Sequence, residues 1–177
     1  ATLYRAARRA VVGGFPPRRY ELLAEISLQT LVDGLGLGEA SAQLKEKGRE
    51  AGRGMVGAAA AKGFVTDWSP RAFREIVLEG LLRDFGVETE IVEESDETLR
   101  YRVFTCPFLE MAERLPALVC DALDAGFHGG MDEAVGGETQ RFSCMGHGAL
   151  YCEYIVAWRE RGSRSAEARR GAGVDDV

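Results

Sequence analysis

The sequence has no long uncharged run and no apolar stretch at its start. Uncharged segments such as residues 54–61 fall far short of the roughly 18 residues that a membrane-spanning helix needs. The first residues also lack the apolar segment of a secretory signal. These absences predict a cytoplasmic protein that does not insert into a membrane.

Three kinds of catalytic motif are also missing. The chain contains no glycine-rich phosphate-binding loop, no serine nucleophile elbow and no paired-histidine motif of the zinc proteases. These absences argue against kinases and conventional hydrolases. Whether the protein is an enzyme stays open at this point, but a binding function is the stronger expectation.

The chain has fewer basic than acidic residues. The chain has 22 Lys and Arg against 28 Asp and Glu, which gives a net charge of -6 and a pI of about 5.1. A body with this charge has no electrostatic footprint for nucleic acid or for an anionic membrane surface. We therefore expect that it does not bind DNA by itself.

The composition predicts one domain with two tails. A chain of 177 residues, 46% of them hydrophobic, suits a single core. Residues 1–19 carry five arginines, no acidic residue and paired glycines and prolines, which predicts a basic linker. Residues 159–177 are polar and arginine-rich, which predicts a disordered tail. The domain itself is expected at residues 20–158.

Three helices are predicted before the first strand. The first begins at Tyr20 and stops at glycines 34 and 36, and the second covers residues 38–62. The third begins with Ser69 as its N-cap and Pro70 at its first position, and it ends at Gly86.

The second helix has four interior glycines, and each costs about 1 kcal/mol relative to alanine. They are Gly48, Gly52, Gly54 and Gly57. Close packing against another helix is the commoner compensation, and a ligand that approaches the backbone is the alternative.

Two β-hairpins are predicted in the rest of the chain. The first pairs strands near residues 87–91 and 99–103, with acidic and basic residues opposed on its exposed face. A short helix broken at Pro116 and a longer one closed by glycines 136 and 137 follow, and a second hairpin joins residues 139–144 to 149–158. The order predicts an α+β fold with three N-terminal helices, a hairpin, a long helix and a hairpin, the helices packed on one antiparallel sheet.

All four cysteines lie after residue 105: Cys106, Cys120, Cys144 and Cys152. A chain without a secretory signal has little use for disulfides, so grouped cysteines indicate metal ligands or redox sites. The last two share the strand parity of Phe142, which predicts that both thiols project from one sheet face. The alternative is that all four are small buried hydrophobic residues.

A complete shell of four thiolates selects zinc or an iron-sulfur cluster and leaves no position for metal-activated water. Such a site is structural or sensory. If only three thiolates bind, an external ligand can take the fourth position. His147 at the hairpin tip and His128 on the long helix are possible extra ligands, although a single histidine is more often a core or solvent residue.

A small-molecule pocket between the second helix and the sheet is the rival to a metal-sensing site. Its candidate lining consists of glycine, methionine and aromatic positions, which are more often plain core residues. These positions are Gly52, Met55, Phe64, Trp68, Phe73, Tyr101 and Phe127.

Residues 105–120, TCPFLEMAERLPALVC, carry a resemblance to a known family. The segment resembles the effector domain that follows an arsenic-repressor-like winged helix in bacterial regulators, including the repressors of iron-sulfur cluster assembly. That resemblance implies a cluster held by Cys106, Cys120 and Cys152, although the gap between the first two is one residue longer here. It also implies a DNA-binding domain upstream of residue 1, with residues 1–5 as the end of its wing, and a homodimer that matches paired half-sites.

The second hairpin is similar to the 4-vinyl-reductase or hydrocarbon-binding domain. In that domain two cysteines separated by seven residues with a central glycine contribute to a zinc site. Cys144 and Cys152 match that spacing, with Gly146 in the loop between them. The similarity implies the same α+β ligand-binding architecture.

Three functional hypotheses follow from these observations. The first is a sensory or effector domain of a transcriptional regulator with a cysteine-bound metal or iron-sulfur centre, whose state shifts the link at Tyr20. The second is a small-molecule-binding module in which zinc is only a staple. The third and weakest is an enzyme of the reductase or thiazoline-hydrolase kind with a cysteine nucleophile.

Overall fold

A computed structural model describes residues 19–63 and 65–158. The predicted linker and wing remnant, apart from Arg19, and the predicted disordered tail lie outside the described residues, as does Phe64 of the predicted pocket. Within the described part, no helix combines the length and the apolarity that crossing a bilayer requires.

The two N-terminal helices match their predicted positions. Helix α1 spans Tyr20–Leu35 and ends at Gly36, whose φ of 79° favours glycine. Helix α2 spans Leu37–Gly63. Ala24 and Leu28 of α1 pack against the core, but α1 has no fully buried residue.

The third helix starts as predicted and then departs from α geometry. Ser69 accepts a hydrogen bond of 3.2 Å from the Ala72 amide, which caps α3 (Pro70–Phe73). The chain continues as a π-helix over Arg74–Leu82. Propensity does not predict a π-helix, because its side-chain pattern differs only slightly from that of an α-helix.

The second helical region is also mixed. Helix α4 (Leu109–Arg114) ends before Pro116, which confirms the predicted break. Helix α5 (Pro116–Leu118) then runs through a second π-helix (Val119–Asp124) into α6 (Ala125–Val135). Gly136 closes α6 in the left-handed conformation, with a φ of 69°.

The four strands form one antiparallel sheet in the order β1-β2-β4-β3, which confirms the α+β class. The strands are β1 (Thr89–Glu94), β2 (Thr98–Val103), β3 (Glu138–Ser143) and β4 (Cys152–Ala157). Glu90 lies opposite Arg102 on the exposed face of the first hairpin, as predicted. Strands from different hairpins, β2 and β4, pair at the centre of the sheet.

The parity argument for the second hairpin is wrong for Phe142. The register shifts between Arg141 and Ser143, so β3 contains a bulge and Phe142 is 53% exposed. The bulge resets the alternation of side chains. Cys144 is therefore buried on the same side as Cys152, although Phe142 is not.

Close packing of α2 against α6 explains two of the four glycines. A Cβ on Gly48 would overlap the carbonyl oxygen of Leu123, and one on Gly52 would overlap that of Phe127. In contrast, no described atom lies within 4 Å of a Cβ built on Gly54 or Gly57. The helix-packing interpretation is thus confirmed for the first pair.

Candidate functional site

The four cysteines come from four different local structures. Cys106 is in the loop before α4, and Cys120 is in the second π-helix. Cys144 follows β3 and precedes a 3-10 turn, Met145–His147, and Cys152 is the first residue of β4. All four are free thiols, and Cys106 alone is only half-buried.

Cys144 is the common neighbour of the other three thiols, and we call Cys106, Cys120, Cys144 and Cys152 the thiol cluster. The thiol of Cys120 is hydrogen-bonded to that of Cys144, and Cys144 also interacts electrostatically with Cys106 and Cys152. However, among residues 19–63 and 65–158, no three Cys, His, Asp or Glu side chains are arranged so that they could hold a metal ion together. The four-cysteine metal site stays a prediction.

The chemistry of these donors fits a soft metal ion. The Phe108 amide donates to Cys106 Sγ at 3.4 Å, and the Met145 amide donates to Cys152 Sγ at 3.3 Å. Such N–H groups favour a thiolate. Burial acts the other way, because it raises the pKa of Cys106, that of Cys120 to about 12 and that of Cys152 to about 11. The thiols of Cys106, Cys120 and Cys152 are therefore protonated at neutral pH unless a cation compensates for the charge.

Gly146 lets the hairpin tip sit on the thiol cluster. A Cβ at this position would lie 2.5 Å from Cys120 Sγ and 3.0 Å from the carbonyl oxygen of Ala112. The glycine is therefore required by a close approach between the 3-10 turn, the second π-helix and α4. This contact gives a physical reason for the glycine at position 146, in the loop between Cys144 and Cys152.

His147 is bound by a carboxylate. Its Nε2 lies 3.0 Å from both carboxylate oxygens of Asp121, and Arg141 Nη2 lies 2.7 Å from the same group. Burial raises the pKa of Asp121, but the hydrogen bonds from His147 and Arg141 outweigh it and leave that pKa below its ordinary value. The sequence patterns did not single out Asp121 or Arg141.

A second cluster lies between α6 and the sheet, beside the thiols. The ring of Tyr154 stacks on Tyr101 at 5.4 Å and on His128 at 4.3 Å, measured between centroids. The Tyr154 hydroxyl donates to Asp124 Oδ2 at 3.3 Å. We call Tyr101, Asp124, His128 and Tyr154 the aromatic cluster.

Two buried polar atoms of the aromatic cluster have no hydrogen-bond partner among the described residues: the Tyr101 hydroxyl and His128 Nδ1. Tyr101 is fully buried. Burial raises the pKa values of Tyr101 and Tyr154, and the nearby negative charge of Asp124 raises them further. Both hydroxyls therefore stay protonated. Asp124 and His128 are four residues apart on one helical face, a spacing from which this pair could have been found, although the sequence analysis named His128 alone.

The predicted pocket residues are distributed between the core and one surface groove. Phe73 contacts Tyr101 with ring centroids 6.2 Å apart, and Trp68 is partly buried against the same core. Gly52 and Phe127 are in the α2–α6 contact. Met55 lines a groove elsewhere on α2.

That groove lies between α2 and the first π-helix and has a volume of about 460 Å³. Its apolar walls include Met55, Ala59, Ile76 and Leu81. Val77 and Leu78, on the same π-helix, are buried in the core. The first π-helix therefore separates the groove from the hydrophobic interior.

Comparison with known proteins supports the fold and leaves the function open. No family model matches the sequence, and no curated protein matches it. Among solved structures, the phenol-responsive sensory domain of the transcription activator PoxR, determined with phenol, has a TM-score of 0.58 and 15% identity. The match covers 98% of this chain and 88% of that one.

A second similar structure is a trafficking protein particle complex subunit 3 from Naegleria fowleri, covalently bound to palmitic acid. Its TM-score is 0.53 at 17% identity, over 79% of this chain and 92% of that one. At such identities the two matches show a shared fold.

Proposed function

We propose that the chain is the sensory domain of a bacterial transcriptional regulator and that its effector is a small aromatic molecule with a hydroxyl group. The observation that carries the proposal is the pair of unpartnered buried atoms, Tyr101 Oη and His128 Nδ1. Buried polar groups are nearly always paired, and an unpaired one costs about 1–3 kcal/mol. A ligand hydroxyl satisfies such groups, and an aromatic ring suits the neighbouring stack.

The two structural neighbours support an apolar effector. One is a phenol-responsive sensory domain of a transcription activator, and the other carries palmitic acid. Both have the fold of this chain while binding molecules that are largely hydrocarbon. A ligand of that kind, with one polar group, matches the aromatic cluster better than a charged metabolite does.

The groove beside α2 is the proposed route of entry. Its floor is the first π-helix, and Phe73, which directly precedes that π-helix, contacts Tyr101. A π-helix is less regularly bonded than an α-helix and is frequent at functional sites. Outward movement of this segment connects the groove to the aromatic cluster.

The thiol cluster is proposed to hold zinc or an iron-sulfur centre. Such a centre supplies a cross-link between the loop before α4, the second π-helix and the second hairpin. Cys120 and Asp124 share the π-helix, and Cys152 and Tyr154 share β4. The residues that hold the metal therefore position the residues of the aromatic cluster, and the two sites are coupled through these elements.

An ion pair links α4, next to the proposed metal site, to α1. Arg114 at the end of α4 forms an ion pair of 2.8 Å with Glu25 of α1. Helix α4 begins three residues after Cys106, and α1 begins at the proposed link to an upstream winged helix. We assign DNA binding to a winged-helix domain upstream of residue 1.

The enzyme hypothesis has less support. A nucleophilic cysteine needs a lowered pKa, and burial raises the pKa of Cys106, Cys120 and Cys152. No described feature lowers it enough to favour that chemistry.

Calorimetric titration with phenol and with toluene tests the proposal. We expect phenol to bind more tightly than toluene, because only phenol has a hydroxyl group. Tyr101→Phe should weaken phenol binding by about tenfold and leave toluene unchanged. Tyr151→Phe is the matched control, since Tyr151 contacts Arg102 and Phe104 on the other face of the sheet. No phenol binding, or equal effects of the two substitutions, would contradict the proposal.

A further inference from the structure

The side of α1 that faces away from the core is apolar in its middle and charged at its ends. Leu22, Leu23 and Ile26 are 54%, 62% and 53% exposed, whereas Ala24 and Leu28 on the opposite side pack on the core. Three neighbouring aliphatic side chains exposed on one helix indicate an interaction surface more than scattered surface residues do.

Two charged residues flank this surface. Arg19 precedes the helix, and Asp33 lies in its last turn. Neither side chain forms a hydrogen bond or ion pair with any residue that the structure describes. Arg19 lies three and four residues before Leu22 and Leu23, and Asp33 lies seven residues, or two turns, after Ile26, so both are on the same side of the helix as the aliphatic group.

We propose that α1 of a second copy of this chain packs antiparallel on this surface, with Ile26 of each copy at the two-fold axis. In that arrangement Arg19 of each copy lies opposite Asp33 of the other. The two residues are placed symmetrically about Ile26, seven positions on either side. Two-fold symmetry therefore forms both ion pairs at once, about 21 Å apart at 1.5 Å per residue.

The charges also select the direction of packing. In a parallel pair, Arg19 would face Arg19 and Asp33 would face Asp33, and both contacts would be repulsive. Antiparallel packing turns both contacts into attractions. The leucine side chains then lie between the two ion pairs and are removed from water, which provides the main driving force.

This interface involves neither the thiol cluster nor the aromatic cluster, so it does not depend on the proposed function. It also places the starts of the two α1 helices at opposite ends of the helix pair. Any domains that precede residue 1 in the two copies would consequently be held apart.

A charge-reversal series tests the inference by sedimentation velocity on the full chain, from about 1 to about 100 µM. We expect a dimer whose affinity falls about tenfold or more for Arg19→Glu and for Asp33→Arg. The double variant Arg19→Glu with Asp33→Arg should recover nearly the original affinity, because the same pairs form with their signs exchanged. Arg83→Glu is the matched control, since Arg83 is also exposed and outside the surface.

Ile26→Asp provides a second test. The substitution should not unfold the protein, because this side chain is already largely exposed, so a loss of the dimer can be assigned to the interface. We expect a monomer with an unchanged circular dichroism spectrum. The inference is overturned if the original chain is monomeric throughout the range. It is overturned equally if residues 1–18 of the same chain cover the apolar surface of α1, or if the dimer affinity of the double variant is as low as that of the single variants.

Discussion

Gly52 of α2 lies directly against the carbonyl oxygen of Phe127 in α6, with no space for a side chain between the two helices. From the other side, Gly130 of α6 lies against the carbonyl oxygen of Arg49 in α2. The two backbones approach each other at both positions. This contact sets the distance between α2 and α6, the helix that carries His128.

Gly52→Ala should therefore destabilise the protein by about 2 kcal/mol or more, because the added methyl group forces α2 and α6 apart. Gly54→Ala, in the same helix, should stabilise it by up to about 1 kcal/mol, since no described atom is near. Urea unfolding curves measure both changes. Equal effects of the two substitutions would show that the helix contact does not require glycine.

Cys152→Ser should reduce the bound metal and lower the melting temperature, because it removes one proposed ligand. His147→Ala should leave the metal content almost unchanged, because His147 binds Asp121. Elemental analysis and a visible spectrum of anaerobically purified protein measure metal content and distinguish zinc from an iron-sulfur cluster. After exhaustive chelation the stability of Cys152→Ser and of the original chain should converge. A persistent difference would assign the effect to packing.

Glu153 predicts a pH dependence of stability. Arg102 Nε donates to its carboxylate at 2.7 Å and Arg100 Nε at 3.0 Å, and these bonds lower the pKa of Glu153 from its ordinary 4.5. A lowered pKa in the folded state means that the stabilisation is complete above pH 4.5 and is lost as the pH falls through the folded value. Glu153→Gln should melt at a lower temperature at neutral pH and change less on acidification. Glu90→Gln, at an exposed position, should follow the original curve.

Ser69→Ala should cost about 1 kcal/mol, because the Ala72 amide loses its hydrogen-bond acceptor. Ser69→Asp keeps an acceptor at the same position and should cost much less. Thermal unfolding compares the two. If the aspartate variant were as unstable as the alanine variant, the cap would not be the cause.

Helix boundaries were predictable here because their signals are local. Ser69 and Pro70 start a helix, and Gly36 and Gly136 end one, through chemistry within a single turn. The π-helices carry no such signal. The central pairing of β2 with β4 was not predictable either, since it joins residues about fifty positions apart and depends on the packing of the whole domain.

In the candidate site, too, local features could be predicted from the sequence and long-range packing could not. Grouping along the chain predicted that cysteines meet, and the structure brings Cys120 into contact with Cys144. The bulge at Phe142 decides which side of the sheet Cys144 faces, and alternation alone gave the wrong rule for that hairpin. The stack of His128 on Tyr154 joins α6 to β4 and depends on how the helix packs on the sheet, which no local pattern contains.

The central position of β4 has a consequence for synthesis on the ribosome. Until residues 152–157 leave the exit tunnel, β2 and β3 each present an unpaired edge, and Leu99 and Tyr101 lack the strand beside them. Unpaired edges of this kind recruit other chains. A nascent chain that stalls before Cys152 is therefore a substrate for chaperones, and a premature stop there yields an aggregating fragment in place of a partly active protein.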